Sequence, residues 1–397
     1  MPRFGRAIVV LVGVVAPAVG LVLAACGDDE VEAPQVEIDG GDAGAKRDAP
    51  EFDAADDGEA GKRPVPTIPS CIGQSLSMIK SGERTYVTVK MGKDAGASVG
   101  DFLIDFGANG STIDMGAFED SGAPTPGFCN GDAGAPGARC NFPDFDFFGP
   151  WGTVELVTAD YSFLFNEVRQ AGIIGTDFLA VYAFTLDYVN TKIWRSPKAA
   201  FCTDAQLLAA GYAPIPTSGF YVNDTSKLRP LSEVITDPDA SVANFTVPNV
   251  PTVPITIAGA SALAQFDTGY DDRLYRHSIN INKPMLDKIL ATNPTAIERR
   301  PARDLYLTTC VPGLSQLGEA YLVVSGTEVN FLAEGGSIGR KDTASILFVK
   351  ERLPAAERCG GIETWTVPAA QLGASFVVDA QAAVFDPFGS RVWLPKE

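Results

Sequence analysis

An internal repeat is the feature that most constrains the fold of this chain. Residues 86–107 and 253–269 share one layout: a strand of alternating apolar residues, a short turn, and an apolar strand that ends in Asp-x-Gly. The two triplets are Asp105-Phe106-Gly107 and Asp267-Thr268-Gly269. One such triplet is a common turn, so the inference depends on its repetition within the same layout.

A second pair of landmarks repeats further along each half. Gly175 stands 12 positions before Asp187, and Gly373 stands 13 positions before Asp386. Each glycine follows an apolar residue, and each aspartate ends a strand-like run that is followed by a second one containing tryptophan. Two ordered landmarks in two copies indicate a duplicated domain.

Length and composition agree with two β-rich lobes. At 397 residues the chain exceeds the size at which one core usually keeps growing, and 40 glycines with 28 prolines indicate frequent turns. Helical patterns occur only near residues 203–210 and 283–291. We therefore expect an all-β fold with an N-terminal lobe over residues 66–215 and a C-terminal lobe over residues 216–397.

Charge and histidine content exclude several classes of function. The formal net charge of −18 argues against nucleic acid, whose phosphates require clustered Lys and Arg. His277 is the single histidine, and its polar neighbours predict a surface position rather than a catalytic base. We expect no metal site and no cofactor, so acid–base chemistry would fall to carboxylates.

The N-terminus predicts export and membrane anchoring. Two arginines precede an apolar run over residues 7–25, which is typical of a signal peptide over residues 1–25. The run ends in Leu23-Ala24-Ala25-Cys26, which resembles the bacterial lipobox and implies lipidation of Cys26. Because Gly27 follows, we expect an outer-membrane anchor, on the periplasmic face or at the cell surface. The alternative is an ordinary membrane helix with an incidental cysteine.

Residues 26–65 are expected to form a disordered acidic tether. Between residues 28 and 60 there are 13 Asp or Glu side chains against only Lys46 and Arg47. Such a segment cannot bury enough apolar surface to offset the entropy of ordering it. Its expected role is to hold the folded part away from the membrane.

The other six cysteines are even in number, which suggests up to three disulfides in an exported protein. Fifteen pairings are formally possible. Local closure favours two pairs, and the third pair would tie the ends of the first lobe. These pairs are Cys129–Cys140, Cys310–Cys359 and Cys71–Cys202. Metal ligation is the rival reading, but no C-x-x-C spacing occurs.

Taken in order, these landmarks resemble the pepsin-like aspartic proteases, in which each lobe has an apolar strand ending in Asp-Thr/Ser-Gly. Residues 264–269 fit that element fully, and residues 104–107 fit it except for Phe106. The later apolar-apolar-Gly element of each lobe is closely matched by residues 172–179 and loosely by residues 372–373. The resemblance spans roughly residues 86–393. It implies a bilobal fold and a catalytic pair formed by Asp105 and Asp267.

The implied chemistry requires two carboxyl groups held close together. Such groups cannot both ionise cheaply, so one keeps its proton. The ionised partner takes a proton from a water molecule that attacks the peptide carbonyl, and the protonated partner stabilises the developing charge on the carbonyl oxygen. Gly107 and Gly269 allow each turn to present its carboxylate at the lobe interface.

Family members also cover the site with a hairpin flap that carries an aromatic residue. Trp151, Gly152 and Thr153 lie 46 to 48 residues after Asp105, with a strand-like sequence on their far side. This stretch resembles the flap, with tryptophan where tyrosine is usual. The alternative is a turn with a tryptophan in the core.

The chain departs from the family pattern near both aspartates. Phe106 replaces the small hydroxyl residue that hydrogen-bonds across the lobe interface in the family, and Ser111 is a displaced candidate for that role. After the second triplet, Tyr270 stands where Ser or Thr is usual, followed by Asp271 and Asp272. The two added carboxylates would either raise the pKa values of the pair or face solvent.

Two functions follow from these observations. The first is an aspartic endopeptidase, monomeric and acting on peptides or proteins. The second is a catalytically inactive relative that binds a peptide or a protein partner between the lobes. Phe106 and Tyr270 favour this second function, because they depart from the family pattern. A structural envelope protein is a third reading, but it leaves the repeat unexplained.

Overall fold

A computed structural model describes the folded part of the chain in seven stretches. They are residues 65–92, 96–118, 122–162, 167–222, 249–308, 315–353 and 361–396. The predicted signal peptide, Cys26 and nearly all of the predicted tether lie outside the described residues, as do Cys310 and Cys359. None of the helices in these stretches is long and apolar enough to cross a membrane.

The first half of the described chain consists mainly of short strands. In order, its elements are β1 (Gln74–Ser77), β2 (Ile79–Ser81), β3 (Arg84–Met91), β4 (Ser98–Ile104), β5 (Thr112–Ile113), β6 (Cys129–Asn130), β7 (Arg139–Asp146), β8 (Pro150–Thr158), β9 (Gln170–Ile174), α1 (Thr176–Leu179), β10 (Ala183–Asp187), β11 (Lys192–Ser196), α2 (Asp204–Ala209) and β12 (Tyr212–Pro216). Single 3-10 turns occur at Met115–Phe118 and Lys198–Ala200.

The second half has the same character. Its elements are β13 (Thr252–Ile257), β14 (Ala260–Phe266), β15 (Ser278–Ile281), α3 (Lys283–Thr292), β16 (Ile297–Arg299), β17 (Leu305–Thr308), β18 (Ser315–Val323), β19 (Glu328–Leu332), β20 (Ile338–Thr343), β21 (Ile346–Lys350), β22 (Ala369–Leu372), α4 (Ala374–Asp379), β23 (Ala382–Asp386) and β24 (Arg391–Pro395). Further 3-10 turns occur at Arg273–Tyr275, Pro301–Arg303 and Ile362–Thr364.

Both predicted helical segments are confirmed, and each begins at a side-chain cap. Thr203 caps α2 in a capping box with Gln206. Asn282 caps α3 by accepting a hydrogen bond from the Met285 N–H. The strands that line the core alternate as expected, and β3 buries Val87, Val89 and Met91 on one face.

Strands β2 to β9 form the sheet of the N-terminal lobe, in the order β2-β3-β4-β9-β5-β8-β7-β6. An additional pairing of β3 with β7 curls this sheet into a barrel-like lobe. Strand β4 runs parallel to β9, β9 runs antiparallel to β5, and β5 runs parallel to β8.

The C-terminal lobe repeats this connectivity. Strand β14 runs parallel to β22, β22 runs antiparallel to β15, and β15 runs parallel to β21. In each lobe a short helix starts directly after the landmark glycine, α1 after Gly175 and α4 after Gly373. The sequence repeat is therefore a repeat of topology.

Strands from both halves meet in one interlobe sheet, in the order β1-β11-β10-β23-β24-β12. Its centre is the antiparallel pair β10–β23, in which Phe184 lies opposite Phe385. The two halves of this sheet have the same layout, a hairpin preceded by a landmark glycine and flanked by an outer strand. The prediction of an all-β, bilobal fold with duplicated, barrel-like lobes is confirmed.

Two of the three predicted disulfides are confirmed. Cys71–Cys202 joins the chain before β1 to the chain before α2, and Cys129–Cys140 joins β6 to β7. Cys202 belongs to a small core cluster that includes Leu207, Tyr212 and Trp393. The first disulfide therefore fastens the edge of the interlobe sheet.

Candidate active site

The two aspartates of the repeat occupy matching positions in the two lobes. Asp105 follows β4, and its N–H donates to the Ile174 carbonyl of β9 at 3.0 Å. Asp267 follows β14, and its N–H donates to the Leu372 carbonyl of β22, also at 3.0 Å. Because each residue leaves a strand next to the parallel strand of its own lobe, both carboxyl groups emerge where the two lobes meet.

Each carboxyl group of this carboxylate pair lies against the glycine of the opposite loop. A Cβ atom on Gly107 would come within 2.5 Å of Asp267 Cγ, and one on Gly269 within 2.6 Å of Asp105 Oδ2. Any side chain at either position would push the carboxyl groups out of place. These two glycines are therefore required for the close approach of the loops.

The carboxyl group of Asp105 lies within hydrogen-bonding reach of Asp267. Burial, and then the charge of Asp267, raise the pKa of Asp105 well above its ordinary value, against the lowering effect of the Gly107 N–H. That N–H donates to Asp105 Oδ1 at 2.7 Å. A buried carboxyl group beside a second one disfavours a second negative charge, so the pair holds a proton more strongly than a single exposed carboxyl group does.

Asp267 accepts hydrogen bonds through both of its oxygens. Its Oδ1 accepts from the N–H groups of Gly269 at 3.0 Å and Tyr270 at 2.9 Å. Its Oδ2 accepts from the side-chain amide Nε2 of Gln371. Sequence reasoning missed Gln371, although a polar residue in an otherwise apolar landmark was a visible signal.

One hydroxyl group bridges the two loops. Thr268 Oγ1 accepts from the Phe106 N–H at 3.0 Å and donates to the Ile104 carbonyl at 2.7 Å. Thr268 is almost fully buried. Since phenylalanine has no hydroxyl, the reciprocal bonds from position 106 are absent, and the bridge is made by one lobe alone.

Phe106 does not wedge the carboxylate pair apart. Its ring is fully buried and stacks on Phe385 of the interlobe sheet, with centroids 3.6 Å apart and planes inclined by 12°. Phe220 meets the same ring edge-on at 5.9 Å. The side chain therefore points into the core between the loops and the interlobe sheet.

Two further contacts cross between the lobes from the turn that joins β2 to β3. Arg84 Nε donates to the Gly269 carbonyl at 2.9 Å. Next to it, Glu83 Oε1 lies 2.6 Å from Arg276 Nη1. The loop that carries Asp267 is thus held to the N-terminal lobe through Arg84 as well as through Thr268.

The residues that follow each triplet are engaged within their own lobe. Ser111 donates through Oγ to Asp177 Oδ1 at 2.6 Å and accepts from the Gly175 N–H, so it does not take the bridging role considered from the sequence. In the C-terminal lobe the two residue types are exchanged: the aspartate, Asp272, follows the triplet and the serine, Ser375, follows the landmark glycine. Asp272 accepts hydrogen bonds from the hydroxyl and the N–H of Ser375. Tyr270 pairs its hydroxyl with Ser278 at 2.8 Å.

Asp272 is a further carboxyl group near the site with a shifted pKa. Burial raises its pKa to about 6, against the lowering effect of the hydrogen bonds from Ser375. Of the two outcomes considered from the sequence, Asp272 therefore does not face solvent. It lies beneath the loop of Asp267.

In the stretch that resembles a flap, the Trp151 side chain is half-buried among aromatic residues. The Trp151 ring packs on Phe178 and Tyr182, at 4.7 and 5.8 Å, and its Nε1 donates to the Phe147 carbonyl at 2.7 Å. Phe147 itself stacks with Phe184 of the interlobe sheet. The hairpin of β7 and β8 therefore directs Trp151 towards that sheet, with Gly152 and Thr153 exposed on β8. This placement favours the core-tryptophan alternative.

A different hairpin, β6–β7, is closed by Cys129–Cys140 and reaches the chain after β8. The Ala138 N–H donates to Thr158 Oγ1 at 2.9 Å, and this hydroxyl in turn bonds the Ala135 carbonyl. Below the hairpin is a cavity of about 270 Å³. Its walls are Asp114, Met115, Gly116, Ala133, Gly134, Pro136, Thr158, Ala159, Asp160, Tyr161, Ser162, Arg169 and Gln170.

Tyr161 connects this cavity with the carboxylate pair. Its hydroxyl lies 2.6 Å from Thr112 Oγ1, and it is close enough to Asp105 to sense its charge. Burial is the main reason that the pKa of Tyr161 rises to about 12. The cavity lies on the N-terminal lobe, and nothing in the sequence pattern signalled it.

His277 is half-buried rather than at the surface. Its Nε2 lies 2.6 Å from Asp379 Oδ2, and its ring stacks on Phe376. Burial alone would raise the pKa of Asp379, but hydrogen bonds from His277 and Arg276 bring it to about 2. Within the described ranges, no group of three or more His, Cys, Asp or Glu side chains is arranged to hold a metal ion.

Comparison with known proteins gives a distant likeness. No family model matches the chain, and no curated protein sequence matches it either. Among solved structures, basic 7S globulin from soybean has a TM-score of 0.38 at 11% identity, over 82% of this chain and 95% of that one. The protein named edgp has a TM-score of 0.38 at 10% identity, over 83% and 96% of the two chains. Conglutin gamma, a basic 7S globulin from lupine seeds, has a TM-score of 0.36 at 10% identity, over 81% and 95%. Likenesses at this level have no bearing on activity.

Proposed function

We propose that this protein is an aspartic endopeptidase that hydrolyses peptide bonds with a water molecule activated by Asp105 and Asp267. The observation that carries the proposal is the pair itself: a buried Asp105, its pKa raised well above the ordinary value, within hydrogen-bonding reach of Asp267. Two carboxyl groups sharing one proton supply both an acid and a base at the same point.

The roles follow from the surroundings of each residue. Asp105 holds the shared proton and donates it to the carbonyl oxygen of the scissile bond, which stabilises the charge that develops there. Asp267, held by three hydrogen-bond donors, takes a proton from the attacking water. When the tetrahedral intermediate breaks down, Asp267 gives its proton to the leaving amine and Asp105 takes back the proton on the former carbonyl oxygen, so the pair returns to its starting state.

The test is proteolysis of a mixed peptide library by the full chain from acidic to neutral pH. Asp105→Asn and Asp267→Asn should each reduce cleavage by at least about 10³-fold, because each removes one half of the acid–base pair. Asp287→Asn, the same change on the exposed face of α3, is the matched control and should retain full activity. A folded protein that cuts nothing at any pH, or an active Asp267→Asn variant, would overturn the proposal.

A second candidate function is peptide binding without hydrolysis. It is favoured by the residues that follow the triplets, because Ala108 and Tyr270 offer no hydroxyl group to the carboxylate pair and Phe106 offers none to the bridge. In that case both aspartate variants would bind peptides from the library as tightly as the unaltered protein does. Fluorescence anisotropy with labelled library peptides measures this directly.

We also propose that the protein acts at a bacterial membrane through a lipid on Cys26, as its lipobox-like sequence suggests. One acyl chain gives only marginal anchoring, whereas two or more hold a protein firmly. Cys26→Ser should therefore move the protein from the membrane fraction to the soluble one. An unchanged distribution would exclude the lipid anchor.

A further inference from the structure

One difference between the lobes lies on the strand beside each aspartate. Gln371 precedes the landmark glycine of the C-terminal lobe by two residues, and Ile173 precedes Gly175 of the N-terminal lobe by the same number. The two residues hold equivalent places, since each is followed by the residue whose carbonyl accepts the N–H of its lobe's aspartate. At this position the site thus has an amide on one side and an aliphatic group on the other.

Gln371 is oriented by a second buried amide. Strands β15 and β22 place Asn280 opposite Gln371, and Asn280 Nδ2 donates to Gln371 Oε1 at 3.0 Å. Because Oε1 accepts this bond, the NH₂ end of the Gln371 amide faces Asp267 and donates to its Oδ2. Asn280 is 4% exposed, so this orienting bond is sheltered from water.

We infer that Gln371 is a positioning residue that sets which member of the carboxylate pair carries the negative charge. The amide donor favours the charge on Asp267 and leaves the shared proton on Asp105, where only Ile173 occupies the equivalent place. This inference rests on the proposed function. It adds that the two carboxyl groups of the pair differ because Gln371 donates a hydrogen bond to Asp267 and Ile173 has no donor for Asp105.

Other charged and titratable groups surround Asp267, and none of them duplicates this effect. Asp105 faces it across the interface, and Tyr270, Asp271 and Asp272 lie on its own loop. Tyr270 stays neutral, because burial raises its pKa well above the ordinary value. Arg84 binds the Gly269 carbonyl and adds a positive charge nearby. It is fixed independently of Gln371, so a change at position 371 leaves it in place.

Gln371→Met tests the inference, because methionine keeps the length and approximate volume of the side chain but has no N–H donor. Without the donor, ionising the pair requires a higher pH. The acid-side midpoint of the kcat/KM profile should therefore rise by about one pH unit, the size expected for one hydrogen bond to a charged group. Ile173→Met, the same new side chain on the other lobe, is the matched control and should leave that midpoint unchanged.

A second readout does not depend on catalysis. In protein labelled with ¹³C at the aspartate carboxyl carbon, NMR titration should show the same upward shift in Gln371→Met, with the resonances of the pair assigned through Asp267→Asn. If neither the kinetic midpoint nor the titration moves, the inference is wrong. If the unaltered protein cleaves nothing but the titration shifts as expected, the proposed peptidase function fails and the role of Gln371 stands. Gln371→Ile serves the same purpose should the methionine variant not fold.

Discussion

The hydroxyl group of Thr268 accepts a hydrogen bond from the backbone N–H of Phe106 in the opposite lobe, at 3.0 Å. The same oxygen donates to the Ile104 carbonyl, so one side chain satisfies a donor and an acceptor of the facing loop. Position 106 returns no such bonds, because its side chain is an aromatic ring buried against Phe385. The two loops are thus aligned by polar contacts from one lobe and by stacking from the other.

Thr268→Val should destabilise the protein by roughly 2–4 kcal/mol, because it leaves the Phe106 N–H and the Ile104 carbonyl buried without partners. Valine has nearly the shape of threonine, so lost packing contributes little. Thr268→Ser keeps the hydroxyl and should cost about 1 kcal/mol or less. Urea denaturation of both variants makes the comparison, and equal stability of the two would show that the bridge contributes nothing.

Phe106→Thr, which restores the hydroxyl typical of the resembled family, should destabilise rather than improve the protein. It removes a fully buried ring that contacts Phe385 and Phe220, at a cost of about 3 kcal/mol or more. A new hydrogen bond would return only about 1 kcal/mol. Thermal unfolding of this variant beside Phe106→Leu, which keeps an apolar group, separates the two effects. A threonine variant more stable than the leucine variant would contradict this balance.

Asp272→Asn should stabilise the protein at neutral pH and have little effect in acid. Burial raises the pKa of Asp272 to about 6, so the folded state prefers its protonated form. The stability that this group contributes is full below its ordinary pKa and is lost as the pH rises through about 6. The gain for the neutral asparagine at pH 7.5 should be about 1–3 kcal/mol, shrinking towards zero near pH 4. Urea denaturation at the two pH values measures it, and a loss of stability at pH 7.5 would refute the assignment.

The two confirmed disulfides should contribute unequally to stability. Cys71–Cys202 closes a loop with a sequence separation of 131, and Cys129–Cys140 closes one of only 11. In the chain-entropy description, the longer loop is worth about 5 kcal/mol and the shorter about 3 kcal/mol. The paired serine variants of each bridge, compared by denaturant unfolding, should differ in that order. The reverse order would mean that native-state contacts outweigh loop closure here.

Much of the fold was predictable because its evidence is local and repeated. Asp-x-Gly after an apolar strand, and a glycine 12 or 13 positions before an aspartate that ends a strand, recur in both halves, and each predicts the same local geometry wherever it occurs. In the structure these landmarks lie on matching pairs of parallel strands, β4 with β9 and β14 with β22. The caps of α2 and α3 were likewise predictable locally, because Thr203 and Asn282 each stand directly before their helix.

The position of the Trp151 side chain could not be predicted from neighbouring residues alone. An aromatic residue near a hairpin fits either a cover over the site or a core contact. Which one applies depends on what lies opposite, here Phe178 and Tyr182. The same holds for Ser111, whose hydroxyl meets Asp177, 66 residues away, rather than the other lobe.

By itself, the sequence indicated that this chain has two similar β-rich halves and that Asp105 and Asp267 occupy equivalent turns, and it favoured the two cysteine pairs that the structure contains. These properties depend on short-range patterns and on their repetition. Only the tertiary structure decided that Phe106 packs away from the carboxylate pair, that Thr268 bridges the loops, and that Gln371 faces Asp267. Those contacts join residues more than 100 positions apart, so they form only when distant strands pair within a lobe or when the two lobes meet.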